Sequence, residues 1–327
     1  MTSPFWPPGL PQHLELPDTS LYYNLEAAAL RYPERVAIHY YGGTITYARL
    51  KREADALAGF LQQRCGVAAG DRVALFLQNS PQFVIAFFAV LRADAVVVPV
   101  NTMNLLEEVR HIVVDSGSNV AIFGQELKAS IAPLIGAELR HAIVAAYSEY
   151  IDAATDLPTP DTVTAAATTV EGAFAWRDAI DAALAPRPHT ANSTSLAVMP
   201  YTSGTTGAPK GCLHTHRSVM HTAIAGPQWC ATPKDAVVLA ALPMFHVTGM
   251  QNGINTPIFA GGSVAVMTRW DKRCAALLIA RHRVFSWTAI PTMLFDFLNQ
   301  DLSEHDLSSL HLLTGGGAAM QIGRAHV

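Results

Sequence analysis

The stretch Tyr201–Gly211, YTSGTTGAPKG, concentrates groups able to hold an anion. Gly204, Gly207 and Gly211 lack the Cβ that keeps other backbones at a distance, so a ligand can approach the main chain closely. Thr202, Ser203, Thr205 and Thr206 add hydroxyl donors, and Lys210 adds a compact positive charge that can reach a β- or γ-phosphate. An apolar run, SLAVMPY, leads into the stretch, and a helix-like run, HRSVMHTAIAG, follows it closely. A loop placed between strand and helix exposes N–H groups near a helix start, a natural phosphate site. The spacing is not that of a Walker A motif. Lys210 follows Pro209 instead of glycine and precedes Gly211 instead of Ser or Thr, so the usual magnesium-binding hydroxyl is missing. A different nucleotide cradle is required.

The surrounding elements read as alternating strands and helices. Tyr47, Leu50, Ala54, Leu57, Ala58 and Leu61 recur at helical spacing, with Gly66 as a stop. DRVALFL then suits a buried strand, Pro81 to Leu91 a helix, AVVVPVN a strand, Leu105 to Asp115 a helix and NVAIFG a strand. Strand, helix, strand in sequence predicts a parallel α/β sheet. Between Asp152 and Ser195 the composition turns to Ala, Thr, Pro and Asp, which predicts a surface connection with one short helix at Trp176 to Leu184. A second alternation follows, with strands expected in AVVLAALPMF, SVAVM, FSWTAIP and HLLTGGG.

Composition narrows the function classes. The chain has 327 residues, half of them hydrophobic and 15% charged, as in a compact globular protein with a large core. A formal net charge of -4 provides no general basic field, so nucleic acid is not an expected partner and a polyanion must be held locally. Cys65, Cys212, Cys230 and Cys274 are widely spaced, without a CxxC pair, and suit reduced thiols in the cytoplasm. The proline-studded N-terminus lacks the layout of a signal peptide, and the longest apolar run, Phe83 to Leu91, falls short of the ~18 residues of a membrane span. His214, His216 and His221 raise the question of a metal, since HxH on a strand places both rings on one face. Neither HExxH nor a carboxylate partner accompanies them, and no metal-ligand residues are assigned. Trp287 with Phe285, Leu294 and Phe295 could line a lipid-accepting pocket, though such groups usually form core.

Ten specified positions in a stretch of eleven distinguish Tyr201–Gly211 from an ordinary glycine-rich loop. The stretch closely resembles the phosphate-binding signature of the adenylate-forming superfamily, Tyr/Phe-Thr-Ser-Gly-Ser/Thr-Thr-Gly-x-Pro-Lys-Gly, which includes acyl-CoA synthetases, firefly-luciferase-like enzymes and peptide-synthetase adenylation domains. ITYARL at Ile45 to Leu50, VVPVNT at Val97 to Thr102, LPMFHVTG at Leu242 to Gly249, AIPTM at Ala289 to Met293 and LLTGGGAAM at Leu312 to Met320 resemble further family segments in the family's order. The resemblance implies a layered α/β/α N-terminal AMP-binding domain, incomplete at its C-terminal side. It also implies an enzyme that activates a carboxylic acid with ATP and Mg2+ and passes the acyl group to coenzyme A.

By the same resemblance Thr202, Ser203, Gly204, Thr205, Thr206, Gly207 and Lys210 hold the phosphates. Gly315, Gly316, Gly317 and Ala318 line the acyl and adenine sites, and His246 stands near the reacting carboxylate. Phe245-His246-Val247-Thr248 departs from the Phe-Asp-x-Ser of peptide-synthetase domains, whose aspartate holds a substrate amino group. An acyl- or aryl-CoA synthetase is therefore the first reading, with a lean toward fatty acids. The alternatives are another adenylate-forming enzyme and a non-catalytic nucleotide- or acyl-binding fragment. The family often forms homodimers.

The family's Tyr-Gly-x-Thr-Glu, Thr-Gly-Asp and late lysine do not occur after the glycine run, so the expected organisation is a partial domain over residues 1–320, with two alternating halves joined around 152–195. The small C-terminal domain is missing, and IGRAHV within residues 321–327 resembles a sequencing-adapter tail. On this reading the full-length parent is the active ligase and the chain alone is inactive.

Overall fold

The computed structural model describes residues 6–7, 9–152, 154–202 and 208–318. Ser203, Gly204, Thr205, Thr206 and Gly207 lie outside the described residues, as does the tail expected at 321–327.

Two mostly parallel sheets organise the chain. One has seven strands in the spatial order His214–Thr215, Leu196–Val198, Val96–Pro99, Arg72–Phe76, Val120–Gly124, His141–Ala145 and Ala173–Ala175. Only the edge pair of His214–Thr215 with Leu196–Val198 is antiparallel. The other has six strands in the order Leu312–Gly315, Ser286–Ala289, Val237–Ala240, Ser263–Val266, Val36–Tyr40 and Gly43–Thr46, parallel except for the hairpin that ends it. The alternation read from the sequence is thus borne out for every strand it named, and all fall in an α/β architecture.

Side-chain alternation explains how the layers pack. In Arg72–Phe76, Val73 and Leu75 join the large core shared with the six-stranded sheet, while Ala74 and Phe76 join a second core. Val97 and Val98 divide in the same way, as do Ile122 and Phe123. Successive strand residues point to opposite faces, so a parallel strand covered on both sides must be apolar throughout. Helix Leu106–Ser116 covers the second core through Val109, Ile112 and Val113. Helix Pro81–Arg92 fills the large core and is buried at every position from Pro81 to Leu91. Its start is fixed by Ser80, whose hydroxyl accepts from the Phe83 N–H at 3.2 Å, followed by a proline that has no N–H to leave unpaired. Burial of Phe83, Phe87 and Phe88 stabilises this layer by roughly 1.5–3 kcal/mol per side chain.

Three features depart from the sequence reading. The hairpin of Val36–Tyr40 and Gly43–Thr46 joins a sheet whose other strands lie some two hundred residues later, through Ile38 opposite Val264. His141–Ala145 is an additional strand. The stretch expected to be a surface connection is also more built than its composition suggests. Ala173–Ala175 becomes an edge strand and helix Trp176–Asp181 buries Trp176. The same stretch crosses helix Tyr47–Gln63 at Gly59, where any Cβ would sit 1.9 Å from the Leu184 carbonyl oxygen. Gln62 and Gln63 pin it there, accepting from Arg187 N and donating to the Ala185 carbonyl, each at 2.7 Å.

Candidate active site

The segments singled out in the sequence follow the carboxyl ends of strands. Tyr201–Gly211 follows Leu196–Val198, the His246 segment follows Val237–Ala240, and the glycine run closes Leu312–Gly315. In open parallel sheets this end is where ligands bind.

The described parts of Tyr201–Gly211 form the two arms of a hairpin. Tyr201–Thr202 pairs antiparallel with Lys210–Gly211, with Lys210 opposite Thr202 and Gly211 opposite Tyr201. Lys210 and Thr202 are exposed. Two contacts to helix Leu106–Ser116 hold the arms: the Tyr201 hydroxyl donates to Asp115 Oδ2 at 2.6 Å, and His111 Nε2 donates to the Pro209 carbonyl at 2.9 Å. Burial, reinforced by the Asp115 carboxylate, raises the Tyr201 phenol above its ordinary value. The hydroxyl therefore stays protonated and able to donate.

His246 begins helix Val247–Met250, and its Nδ1 accepts from the Thr248 N–H at 3.3 Å. Acceptance at Nδ1 assigns the proton of the neutral ring to Nε2. Behind the histidine, Gly249 lies so close to the turn that a Cβ would meet the Pro243 carbonyl oxygen at 2.0 Å. Asn79 locks this turn from the other sheet. Its Oδ1 accepts from Met244 N at 2.7 Å and its Nδ2 donates to the Leu242 carbonyl at 2.9 Å. Helix Val247–Met250 runs on into a wider π turn, Gln251–Asn255, a local distortion often found beside binding sites.

A cavity of about 560 Å³ brings the hairpin and the His246 segment together. Tyr201 and Thr202 line one side, with Phe245, His246, Val247 and Thr248 on another. Met250, Gln251 and Asn252 continue the wall, and Ser218, Val219 and Thr222 come from helix His216–Trp229. The lining includes two histidines, His214 and His246, and no Asp, Glu, Lys or Arg among the described residues. The size falls within the ~300–1,000 Å³ usual for small-molecule sites. The sequence reading missed Asn79, His111, Asp115, Gln251 and Asn252. Asn79, His111 and Asp115 carry no local signal, because each acquires its part from a segment distant in the chain, whereas Gln251 and Asn252 directly continue the His246 segment.

Lys210 and the glycine run do not line this cavity among the described residues. Gly315, Gly316, Gly317 and Ala318 are exposed at the end of an edge strand. A Cβ on Gly316 would meet nothing within 4 Å, and Gly317 has φ +85, a conformation suited to glycine. The paired-imidazole reading of HxH does not hold. His214 lies on an edge strand, but His216 starts a helix and turns inward, where its Nδ1 accepts from Leu21 N at 3.0 Å. No cluster of three or more His, Cys, Asp or Glu suited to a metal occurs among the described residues. Trp287 is core: it is fully buried, stacked on Trp270 with ring centres 5.3 Å apart. Among the described residues, no helix is long and apolar enough to cross a membrane.

A family model for AMP-binding enzymes matches residues 25–326. The long-chain-fatty-acid–CoA ligase of Bacillus subtilis (strain 168) is 28% identical over 343 residues, covering 97% of this chain and 58% of its own length. The long-chain-fatty-acid–CoA ligase FadD13 of Mycobacterium tuberculosis is 35% identical over 287 residues, covering 84% of this chain and 50% of its own. The chain thus spans 50–58% of the length of these curated relatives. Among solved structures, the inhibitor-bound N-terminal domain of FACL13 from Mycobacterium tuberculosis aligns with a TM-score of 0.76 at 28% identity, covering 93% of this chain and 71% of that one. A long-chain-fatty-acid–CoA ligase, FadD1, from Archaeoglobus fulgidus aligns with a TM-score of 0.78 over 98% of this chain and 61% of its own, and at 21% identity supports the fold.

Proposed function

This chain belongs to the AMP-binding enzyme family, and from that premise we propose that its full-length parent activates a carboxylic acid with ATP and transfers the acyl group to coenzyme A. In the first step a carboxylate oxygen bonds to the α-phosphorus of ATP and the bond to pyrophosphate breaks. In the second the thiol sulfur bonds to the acyl carbon, AMP leaves, and the thiol proton is released. Both partners of the first step are anions, so donors aimed at the phosphates relieve repulsion and stabilise the departing pyrophosphate.

Thr202, Ser203, Gly204, Thr205, Thr206, Gly207 and Lys210 take that part in this reading, with Mg2+ accompanying the ATP. Gly315, Gly316, Gly317 and Ala318 offer an open backbone edge for the adenine and acyl groups. His246 presents Nε2–H from the cavity wall and orients the carboxylate. The observation that carries the reading is the cavity shared by the hairpin and the His246 segment, without a charged side chain among its described lining residues. An amino acid substrate would bring an ammonium group that needs an acidic partner, whereas a neutral wall suits a fatty or aromatic acid. The four cysteines are free, two of them buried, which fits a cytoplasmic protein.

The test uses the full-length protein with Lys210→Ala. Acid-dependent exchange of pyrophosphate into ATP is expected to slow by roughly 10²–10³-fold, as for loss of one charge-stabilising donor. Thioester formation from preformed acyl-adenylate is expected to be little changed. Equal slowing of both steps would remove Lys210 from the phosphates, and absence of exchange with every acid offered would remove the ligase reading.

A further inference from the structure

The hairpin that carries Lys210 has arms only two residues long in each strand, too little to fix itself. Its base continues the pair of Leu196–Val198 with His214–Thr215, where Cys212 N donates to the Pro200 carbonyl at 2.8 Å, and helix Leu106–Ser116 ties it from the side. His111 and Asp115 are four residues apart and so share one helical face. Each reaches a different arm: His111 donates to the carbonyl of Pro209, and Asp115 accepts from the hydroxyl of Tyr201. Pro209 immediately precedes Lys210, and Tyr201 immediately precedes Thr202, the residue opposite Lys210 in the hairpin. The imidazole and phenol rings also meet edge to face, with centres 6.4 Å apart. The helix is immobilised in turn, since Ile112 and Val113 are buried in the core against the seven-stranded sheet.

We propose that His111 and Asp115 form a two-point clamp that positions Lys210 and Thr202 for the adenylyl-transfer step, His111 through Pro209 and Asp115 through Tyr201. The proposal rests on the ligase reading above and adds two positioning residues to it. A hairpin tied at only one arm can pivot, and a tie on both arms removes that freedom. Charge stabilisation depends steeply on donor placement: a displacement of ~1 Å can cost about 10²-fold in rate.

The test compares paired substitutions in the full-length protein. His111→Leu removes the donor, while His111→Gln restores an N–H of similar reach. Tyr201→Phe removes the phenol donor. Asp115→Ala removes the acceptor, while Asp115→Asn keeps an acceptor oxygen. Acid-dependent pyrophosphate exchange is measured for kcat and for KM of ATP, alongside CoA transfer from supplied acyl-adenylate and the thermal midpoint. His111→Leu, Tyr201→Phe and Asp115→Ala are expected to lower kcat of exchange by roughly 10–100-fold with CoA transfer within about twofold of the unmodified protein. His111→Gln and Asp115→Asn are expected to recover most of the loss.

Wild-type exchange in His111→Leu and Tyr201→Phe, equal loss in both half-reactions, or failure of the Gln and Asn variants to recover would overturn the clamp. Lys210→Ala separates the two levels: if it slows exchange while the clamp variants do not, the clamp alone is wrong. If the unmodified protein shows no exchange, the ligase reading falls and takes the clamp with it.

Discussion

The side-chain amide of Asn79 bridges the two sheets by accepting from Met244 N at 2.7 Å, while its Nδ2 donates to the Leu242 carbonyl at 2.9 Å. It stands just before a helix of the first half of the chain and binds the turn that delivers His246 in the second. Its own carbonyl accepts from the Thr268 hydroxyl at 3.0 Å, which adds a third tie.

Asn79→Ala would leave the Met244 N–H and Leu242 carbonyl unpaired within a packed region, at a cost of roughly 1–3 kcal/mol for each group not rescued by water. The expected outcome is a lower urea midpoint with an unchanged slope. Asn79→Asp, which keeps Oδ1 but cannot donate, should also destabilise. A midpoint unmoved in both variants would show that the bridge contributes nothing.

Gly249 and Gly316 give opposite expectations for the same Gly→Ala change. At Gly249 the added carbon lies 2.0 Å from the Pro243 oxygen, so the His246 turn must shift at a cost of about 1–3 kcal/mol. At Gly316 there is open space within 4 Å, so stability should change by less than about 0.5 kcal/mol. Gly316→Ala should nevertheless weaken ATP binding in the full-length protein if the glycine run lines the nucleotide site. Isothermal titration with ATP decides this, and unaltered affinity would remove Gly316 from the site.

Burial lowers the His216 pKa from its ordinary 6.5 to about 4, with His189 nearby acting in the same direction. In the unfolded chain His216 takes up a proton below about pH 6.5, while in the folded chain it stays neutral until about pH 4. The unfolded state thus binds more protons within this window, and stability falls as pH falls through it. The loss attributable to this residue approaches roughly 3 kcal/mol at the acid end. Denaturation midpoints between pH 7 and 4 should show a shallower decline in His216→Asn, which retains an acceptor for Leu21 N but does not titrate. An identical slope in the two proteins would count against this origin.

His246 caps a helix and, in the proposed function, orients the carboxylate, two parts that substitution can separate. As the helix N-cap it contributes about 0.5–2 kcal/mol, which His246→Ala should lose and His246→Asn should largely retain. Only the imidazole offers Nε2–H to the cavity, so both variants should impair acid-dependent pyrophosphate exchange in the full-length protein. Full exchange in His246→Asn would reduce the histidine to a cap.

The strands around Val73, Val97, Ile122, Val238 and Val264 were legible because a strand buried on both faces is largely apolar, and short apolar runs between turn residues record that need locally. Tyr201–Gly211 stood out because its glycines, hydroxyls and lysine are adjacent in sequence, and the structure pairs its described ends as a hairpin. Which sheet receives Val36–Tyr40 was not legible, because Ile38 pairs with Val264, more than two hundred residues further along the chain. Nor was the burial of His216 or the partnership of Asn79 with Met244. Local sequence determined the elements and which residue types stand together at Tyr201–Gly211, whereas tertiary structure decided which distant side chains hold the hairpin arms and the His246 turn. Hydrogen bonds across a core join residues by their place in space, and no spacing along the chain encodes them.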